Sequence, residues 1–406
     1  MKKQIVLLCI PFLLIACSKQ EQNVSQASSA VSYYEMNEHF IDQPWSETVT
    51  NTLKEDEVDV PLYDIHTPLQ YAYINSDFNS IKSFASGKSE LSKPVPITLN
   101  ASEIEDASTY YFEISESGDF AKPLLLTSET KEVAVKNLKI GTRYYYRYAT
   151  SHNDLKKAQT HEFKTSDTLI RNIDIDGVTN VRDIGGHKSQ LGGKIRQGLY
   201  YRGGRLNWTD ETTTIDQAST FKRELTEDGY DTMVYDLGIK NEIDLRMNES
   251  YYTGTLAHEY GLITNETFPD IEYKPFPLNY KSDNMMLTEQ DTICDIFKLL
   301  AKEESYPVYL HCNIGTDRTG MITMLLGCLL GMTMEDIYRD YLFSNFGATN
   351  NSRDISKVRD KYLKTLQGYG EENLHFAAKE YLLDCGLTNK EINNIINIHL
   401  DLRIEE

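Results

Sequence analysis

A cysteine followed six residues later by an arginine stands in the segment PVYLHCNIGTDRTG, residues 307–320. An apolar stretch begins the segment, and a second one, MITMLLGCLLGM, follows it. The pattern predicts a strand, a glycine-containing loop and the first turn of a helix, which together aim backbone N–H groups at one point. Such a point binds anions. The residues whose amides would form this cradle are Asn313, Ile314, Gly315 and Thr316.

The side chains of this loop predict phosphate ester cleavage. Arg318 can grip two phosphate oxygens with its planar guanidinium group. The same positive field favours the thiolate of Cys312, so we expect the cysteine to accept a phosphoryl group that water then releases. Thr319 is expected to hydrogen-bond the sulfur, and His311 to brace the loop backbone. This chemistry calls for no metal and no other cofactor.

Alternating apolar strands and helical segments from residue 167 onward must position this loop. They predict an α/β sandwich around a mostly parallel sheet in a domain spanning 167–406. The central apolar helix is too short for a membrane span. The predicted strands are DTMVYDLG (231–238), KNEIDLR (240–246), YKPFPL (273–278) and YPVYLHC (306–312), and the predicted helices lie near 288–303, 318–331, 333–343, 373–385 and 389–402.

A different pattern occupies residues 94–166. Short β-rich runs such as STYYFEIS and TRYYYRYAT alternate with polar or glycine-containing turns, which is typical of a small all-β sandwich domain. The tyrosine-rich run and the closing F-x-T at 163–165 resemble a fibronectin type III-like domain. Such a domain is more often a spacer than a catalyst. Residues 17–93 are predicted to be a polar tether and an extension without an assigned structure.

The loop and several distant segments resemble one phosphatase family. HC-x-x-G-x-x-R-T-G is the signature of the cysteine-dependent protein-tyrosine-phosphatase superfamily. The segments NVRDIGG (180–186), LYYRGGRLN (199–207) and IDLR (243–246) resemble its bacterial tyrosine phosphatase family, whose loop reads HCxxGxDRTG. The resemblance covers 171–402, and within it we expect Arg182, Asp183 and Arg246 to form a structural ion-pair set, with substrate contact by one of the arginines as the alternative. The supporting residues are Arg182, Asp183, Asp244 and Arg246.

Cleavage also needs an acid that protonates the leaving group. The resembled family keeps its acid inside the loop, so the resemblance implies that Asp317 has this role. Asp317 could instead be a structural carboxylate that pairs with an arginine such as Arg182. The runners-up are Asp244 and Asp283.

The first residues, MKKQIVLLCIPFLLIAC, predict export. Two lysines precede a short apolar run, as in a secretory signal peptide over 1–16. The run ends at Cys17 and resembles a lipoprotein signal, which implies lipidation of this thiol and anchoring to a bacterial envelope, in the outer membrane if there is one. A net charge of −20 argues against a nucleic-acid partner. The remaining cysteines do not indicate a disulfide framework, and the sequence leaves the oligomeric state open.

Phosphotyrosine is the first expected substrate. Phosphoserine, phosphothreonine and inositol phosphates or phosphoinositides are alternatives. Family members that accept phosphoinositides often have a lysine before the loop aspartate, and Thr316 stands there in this chain. A competing hypothesis is a surface module that binds phosphoproteins without turnover, with the β-sandwich as an adhesion domain. The combination of Cys312, Asp317 and Arg318 argues against it.

Overall fold

The computed structural model describes residues 51–52, 90–166, 170–206, 225–247, 270–349, 352–370 and 373–401. The predicted signal peptide, Cys17 and most of the 17–93 extension lie outside the described residues. Within the described part of the chain, no helix has the length and apolar character needed to cross a membrane.

Two sheets form the β-rich region. The three-stranded sheet has the order β1-β2-β5, with β1 parallel and β5 antiparallel to β2. The four-stranded sheet has the order β4-β3-β6-β7 and is antiparallel throughout. Alternate residues of the strands are apolar, and both sheets contribute to one core that includes Leu99 and Phe112. The strands are β1 (Asn51–Thr52), β2 (Ile97–Asn100), β3 (Tyr110–Ser115), β4 (Leu124–Ser128), β5 (Glu132–Val135), β6 (Arg143–Ala149) and β7 (His161–Lys164).

A six-stranded sheet organises the second region, in the order β13-β12-β14-β11-β9-β8. Its four strands β13, β12, β14 and β11 are parallel, and β9 and β8 continue it antiparallel. This confirms the α/β fold with a mostly parallel sheet. The strands are β8 (Arg171–Asn172), β9 (Arg182–Asp183), β11 (Tyr200–Gly203), β12 (Asn241–Asp244), β13 (Glu272–Pro275) and β14 (Val308–His311), with a separate antiparallel pair of β10 (Lys194–Ile195) and β15 (Leu400–Asp401).

Helices cover this sheet, and all five predicted helical segments are confirmed. The helix that follows the cysteine loop is buried along nearly its whole length, so it lies in the core between sheet and outer helices. The helices are α1 (Glu227–Asp231), α2 (Met285–Thr288), α3 (Gln290–Leu300), α4 (Asp317–Leu329), α5 (Met334–Leu342), α6 (Lys364–Gln367), α7 (Leu374–Asp384) and α8 (Asn389–His399).

The predicted strand at 231–238 is wrong. Residues Thr232–Asp236 extend α1 as a π-helical turn. Thr226 begins the helix, because its side chain accepts a hydrogen bond from the Gly229 N–H at 3.1 Å. The run DTMVYDLG resembles a strand in its apolar content, yet only Met233 and Leu237 are buried in it. Their separation of four residues is the helical spacing.

Ion pairs and hydrogen bonds join the two regions. The Lys136 ammonium group lies 2.7 Å from the Asp174 carboxylate, and the Arg171 guanidinium donates to the Asn137 carbonyl at 2.7 Å. Arg171 is buried and also pairs with Asp183 at 2.7 Å. The β-rich region therefore lies directly against the sheet that carries the cysteine loop.

Candidate active site

The cysteine loop connects β14 to α4, and contacts from outside hold its backbone. Four successive carbonyls accept hydrogen bonds from other groups. These bonds are His311 Nδ1 to Cys312 O at 3.0 Å, Arg205 N to Asn313 O at 3.1 Å, Asn180 Nδ2 to Ile314 O at 2.9 Å and Arg202 Nη2 to Gly315 O at 2.7 Å. In a planar trans peptide the N–H points away from the carbonyl. The N–H groups of residues 313–316 therefore point away from these partners, as a phosphate cradle requires.

Gly315 is the one loop position where only glycine fits. Its φ of +71° lies in the left-handed region. A Cβ atom there would lie 2.2 Å from the carbonyl oxygen of Gly203. The end of β11 and the loop can approach so closely only because Gly315 has no side chain.

Cys312 lies at the base of the loop and is 2% exposed. Burial disfavours the thiolate, but the charge of Arg318 and hydrogen bonding by Thr319 outweigh it, so the pKa of Cys312 is below its ordinary value. The predicted proximity of these three residues is therefore present. The Thr319 hydroxyl is buried and makes no regular hydrogen bond to nitrogen or oxygen among the described residues.

Arg318 extends from the first turn of α4 to the carboxyl ends of the neighbouring strands. Its Nη1 donates to the carbonyl of Leu245 at 3.1 Å and to that of Leu278 at 3.4 Å. The guanidinium carbon lies 5.1 Å from the ring centre of Tyr280, and this tyrosine is 43% exposed. The arginine is thus held in one orientation beside an exposed aromatic ring.

His311 braces the loop, as predicted, through a partner that sequence reasoning missed. Its Nε2 lies 2.7 Å from Glu242 Oε1, while Nδ1 donates to the Cys312 carbonyl. Burial lowers the pKa of His311, but Asp244 and Glu242 together raise it above its ordinary value. Glu242, Asp244 and His311 are close enough to hold a metal ion. Each already has a protein partner, however, and these partners explain the cluster without an ion.

Arg182, Asp183 and Arg246 all form structural ion pairs, as predicted, but they pair with residues outside this set. Each of these residues is buried and has a different partner. The pairs are Arg182 with Asp340 at 2.9 Å, Asp183 with Arg171 at 2.7 Å, and Arg246 with Asp244 at 2.7 Å. Asp340 also pairs with Arg202. These pairs anchor the elements around the loop, so the supporting role is structural.

Asp317 is the first residue of α4, and cations from a later segment surround it. Its carboxylate accepts from Arg353 Nη2 at 2.8 Å and lies 3.1 Å from the Lys357 ammonium group. The Tyr341 hydroxyl donates to it at 3.1 Å. Burial favours the neutral acid, but Arg353 and Lys357 lower its pKa to about 2. Asp317 does pair with an arginine, but its partner is Arg353 and not the expected Arg182.

The two runners-up for the acid are placed less favourably. Asp244 is buried, and although burial alone would favour its neutral form, Arg246 holds its pKa below the ordinary value. Asp283 is exposed on the loop before α2 and has no hydrogen bond or ion pair within the described residues. Asp317 is the one of the three that lies in the cysteine loop.

Residues 173–398, more than half of the chain, match the sequence profile of the tyrosine phosphatase family. The chain belongs to the tyrosine phosphatase family. A predicted tyrosine-protein phosphatase of Cupriavidus necator is 27% identical to it over 190 residues, which cover 42% of this chain. The match spans 62% of that relative's own length.

Two solved structures are also similar to this tyrosine phosphatase family member. The core catalytic domain of the PP-IP phosphatase SIW14 from S. cerevisiae is 11% identical, with a TM-score of 0.28, over 45% of this chain and 94% of that one. TpbA of P. aeruginosa is 16% identical, with a TM-score of 0.26, over 45% of this chain and 87% of that one.

Several site residues of this family member could not be found from the sequence alone. Arg353 and Lys357 follow the loop by more than 30 residues, and Glu242 precedes it by about 70. Glu242 is adjacent to the segment IDLR, but an acidic residue in a strand carries no signal for contact with His311. Tyr280 lies after β13 in a stretch without a motif. Only the fold brings these side chains to the cysteine loop.

Proposed function

We propose that the protein is a phosphate monoester hydrolase that forms a cysteinyl-phosphate intermediate, with phosphotyrosine as its substrate. The observation that carries the proposal is the convergence of Cys312, Arg318 and the N–H groups of residues 313–316 on one anion-binding point, while the loop carbonyls are held outward. The Cys312 sulfur attacks phosphorus, and the P–O bond to the leaving group breaks as the S–P bond forms. Water then attacks phosphorus, the S–P bond breaks, and inorganic phosphate leaves.

Asp317 is proposed as the acid that protonates the leaving oxygen. Its place beside Arg318 supports this role. Its low pKa opposes it, because the carboxyl is ionised in the free protein at neutral pH. Arg353 and Lys357 thus decide how much of Asp317 is protonated. The other assignment, a structural carboxylate, predicts that the pH profile of catalysis does not depend on Arg353.

Tyr280 supports an aryl phosphate as substrate. Its exposed ring lies beside the guanidinium group of Arg318. An aryl group that leaves the phosphate loop would meet this ring, and aromatic pairs favour stacked or edge-to-face contact. We therefore expect Tyr280→Ala to raise KM for phosphotyrosine more than for a small alkyl phosphate.

A second candidate function is hydrolysis of inositol phosphates or phosphoinositides. Thr316 provides no cation, but Arg353 and Lys357 bring two positive charges to the neighbouring Asp317. Lys357 is one-third exposed, and Asp317 neutralises only one of the two charges. Lys357→Met should then reduce kcat/KM for an inositol bisphosphate more than for phosphotyrosine. Equal effects on both substrates would count against this candidate.

Phosphate release from a phosphotyrosine peptide, measured with EDTA present, tests the proposed function. Cys312→Ser should abolish turnover, and Arg318→Lys should reduce it strongly because the planar fork is lost. The competing hypothesis of a binding module predicts phosphopeptide binding without release of phosphate. Absence of turnover on phosphotyrosine, phosphoserine and inositol phosphates would favour that module.

Lipid anchoring through Cys17 and the fibronectin type III-like character of residues 94–166 are further parts of the proposal. The signal-like start of the chain supports the first. The two sheets that share a core support the second. Growth of an expressing bacterium with labelled palmitate should label the wild-type protein, and Cys17→Ala should remain unlabelled and leave the membrane fraction.

A further inference from the structure

Residues 90–93 precede the main strands of the β-rich region, yet they lie on the phosphatase domain. We call this segment the strap. The Leu91 N–H donates to the carbonyl of Phe346 at 2.6 Å, and the leucine side chain packs against the hydrophobic core of the phosphatase domain. The carbonyl of Ser92 accepts from the Asn172 amide at 3.0 Å. The strap therefore binds the segment after α5, at Phe346, and the strand β8, at Asn172.

Two side chains of the strap hold one turn of the phosphatase domain. Ser92 is 2% exposed, and its hydroxyl accepts from the Asn180 N–H at 3.1 Å. The same hydroxyl donates to Glu90, whose other carboxylate oxygen accepts from the Thr179 hydroxyl. Both residues of the 179–180 turn are thus bound by the strap.

The 179–180 turn also contacts the phosphate loop and holds it in place. Asn180 Nδ2 donates to the Ile314 carbonyl at 2.9 Å, and the Thr179 carbonyl accepts from the Gly204 N–H at 2.9 Å. Asn180 has a φ of +64°, a conformation that non-glycine residues seldom adopt without supporting contacts. Because the Ile314 carbonyl is turned towards Asn180, the N–H of Gly315 on the same peptide points the other way, into the cradle.

We propose that Ser92 and Glu90 are positioning residues of the phosphate loop, acting through the 179–180 turn on the Ile314–Gly315 peptide. The inference rests on the proposed function, since it assigns the strap a part in placing an N–H group that binds the substrate phosphate. The strap lies outside residues 173–398, the region that matches the family. A segment from outside the family match thus completes the site.

The test compares two serine variants of the full chain that lose the same kind of hydrogen bond. Ser115 lies in β3, is 5% exposed, and its hydroxyl accepts the Ser117 N–H at 3.1 Å. Ser92→Ala should lower kcat and weaken inhibition by inorganic phosphate, each about fivefold, the factor expected for one hydrogen bond. Ser115→Ala should lose a similar amount of thermal stability and leave both constants unchanged.

Alkylation of Cys312 by iodoacetate, followed across pH, gives a readout independent of turnover. A displaced Gly315 N–H stabilises the thiolate less, so Ser92→Ala should alkylate with a higher apparent pKa than the wild type. Ser92→Thr keeps the hydroxyl and should restore the wild-type value. Glu90→Gln weakens the acceptor of the Thr179 hydroxyl and should show a smaller shift, which also serves if Ser92→Ala fails to fold.

Two results would overturn the inference. One is a folded Ser92→Ala with wild-type kcat, phosphate inhibition and thiol pKa, and the other is an equal loss of activity in Ser92→Ala and Ser115→Ala. Failure of the proposed function is distinguishable from these. In that case no phosphate ester is hydrolysed, but Ser92→Ala still weakens phosphate binding, measured by calorimetry, and raises the thiol pKa.

Discussion

Replacement of Arg353 by glutamine tests whether Asp317 is the acid. Arg353 and Lys357 lower the pKa of Asp317 from an ordinary 3.8 to about 2, against the effect of burial. If the two cations share this effect, loss of Arg353 raises the pKa by about one pH unit, or about 1.4 kcal/mol. The protonated fraction of Asp317 at pH 5 then increases about tenfold.

The measured quantity is kcat/KM for phenyl phosphate between pH 3 and pH 7. Its descending limb reports the acid of the free enzyme, so the limb should move up by about one pH unit in Arg353→Gln. A 4-nitrophenyl leaving group needs less protonation and should show a smaller effect. Arg359→Gln is the matched control, because Arg359 pairs with the exposed Asp360 at 2.6 Å.

Asp317→Asn should remove the descending limb, and Arg353→Gln should then have no further effect on the profile. An unmoved limb in Arg353→Gln, or the same movement without the Asp317 carboxyl, would refute the assignment.

The pH dependence of folding stability gives a second test of the pairing between Asp317 and Arg353. The folded pKa is depressed, so the ion pair stabilises the protein above about pH 4 and this contribution is lost as pH falls through about 2. The stability difference between wild type and Arg353→Gln should follow the same pH dependence.

Three further substitutions test the architecture of the loop. Gly315→Ala should reduce kcat by at least about 100-fold, because the new Cβ meets the Gly203 carbonyl. Gly192→Ala is the control. Gly192 has a φ of +105° and open space around it, so this variant should lose only about 1 kcal/mol of stability. Asp340→Asn removes the carboxylate that two buried arginines share and should lower the free energy of unfolding in urea by about 3–5 kcal/mol. Glu242→Gln should lower the pKa of the adjacent buried histidine in an NMR titration, and an unchanged value would contradict the proposed brace.

The cysteine loop was predictable because its parts are close in sequence. Nucleophile, cradle and guanidinium clamp lie between Cys312 and Arg318, and an apolar strand and an apolar helix flank them. The partners of the loop were not predictable, since Arg353 and the strap residue Ser92 reach it only through the fold. The 231–238 error has a local cause. Short apolar runs do not separate strand from helix unless the spacing of the buried positions is known.

The acidity of the whole chain makes the local balance of buried charge informative. The net charge is −20, so an anionic substrate is repelled unless a site of opposite sign overrides the global field. Four arginines buried around the loop are matched by carboxylates and anchor strands, and the buried Arg205 donates to the side chain of Asn313. These pairs are Arg171 with Asp183, Arg182 and Arg202 with Asp340, and Arg246 with Asp244. The charge of Arg318 lowers the pKa of Cys312 instead, and its described hydrogen bonds go to main-chain carbonyls. Arg318 therefore carries the positive charge that the fold directs at Cys312, and a phosphate that enters the loop would meet this charge.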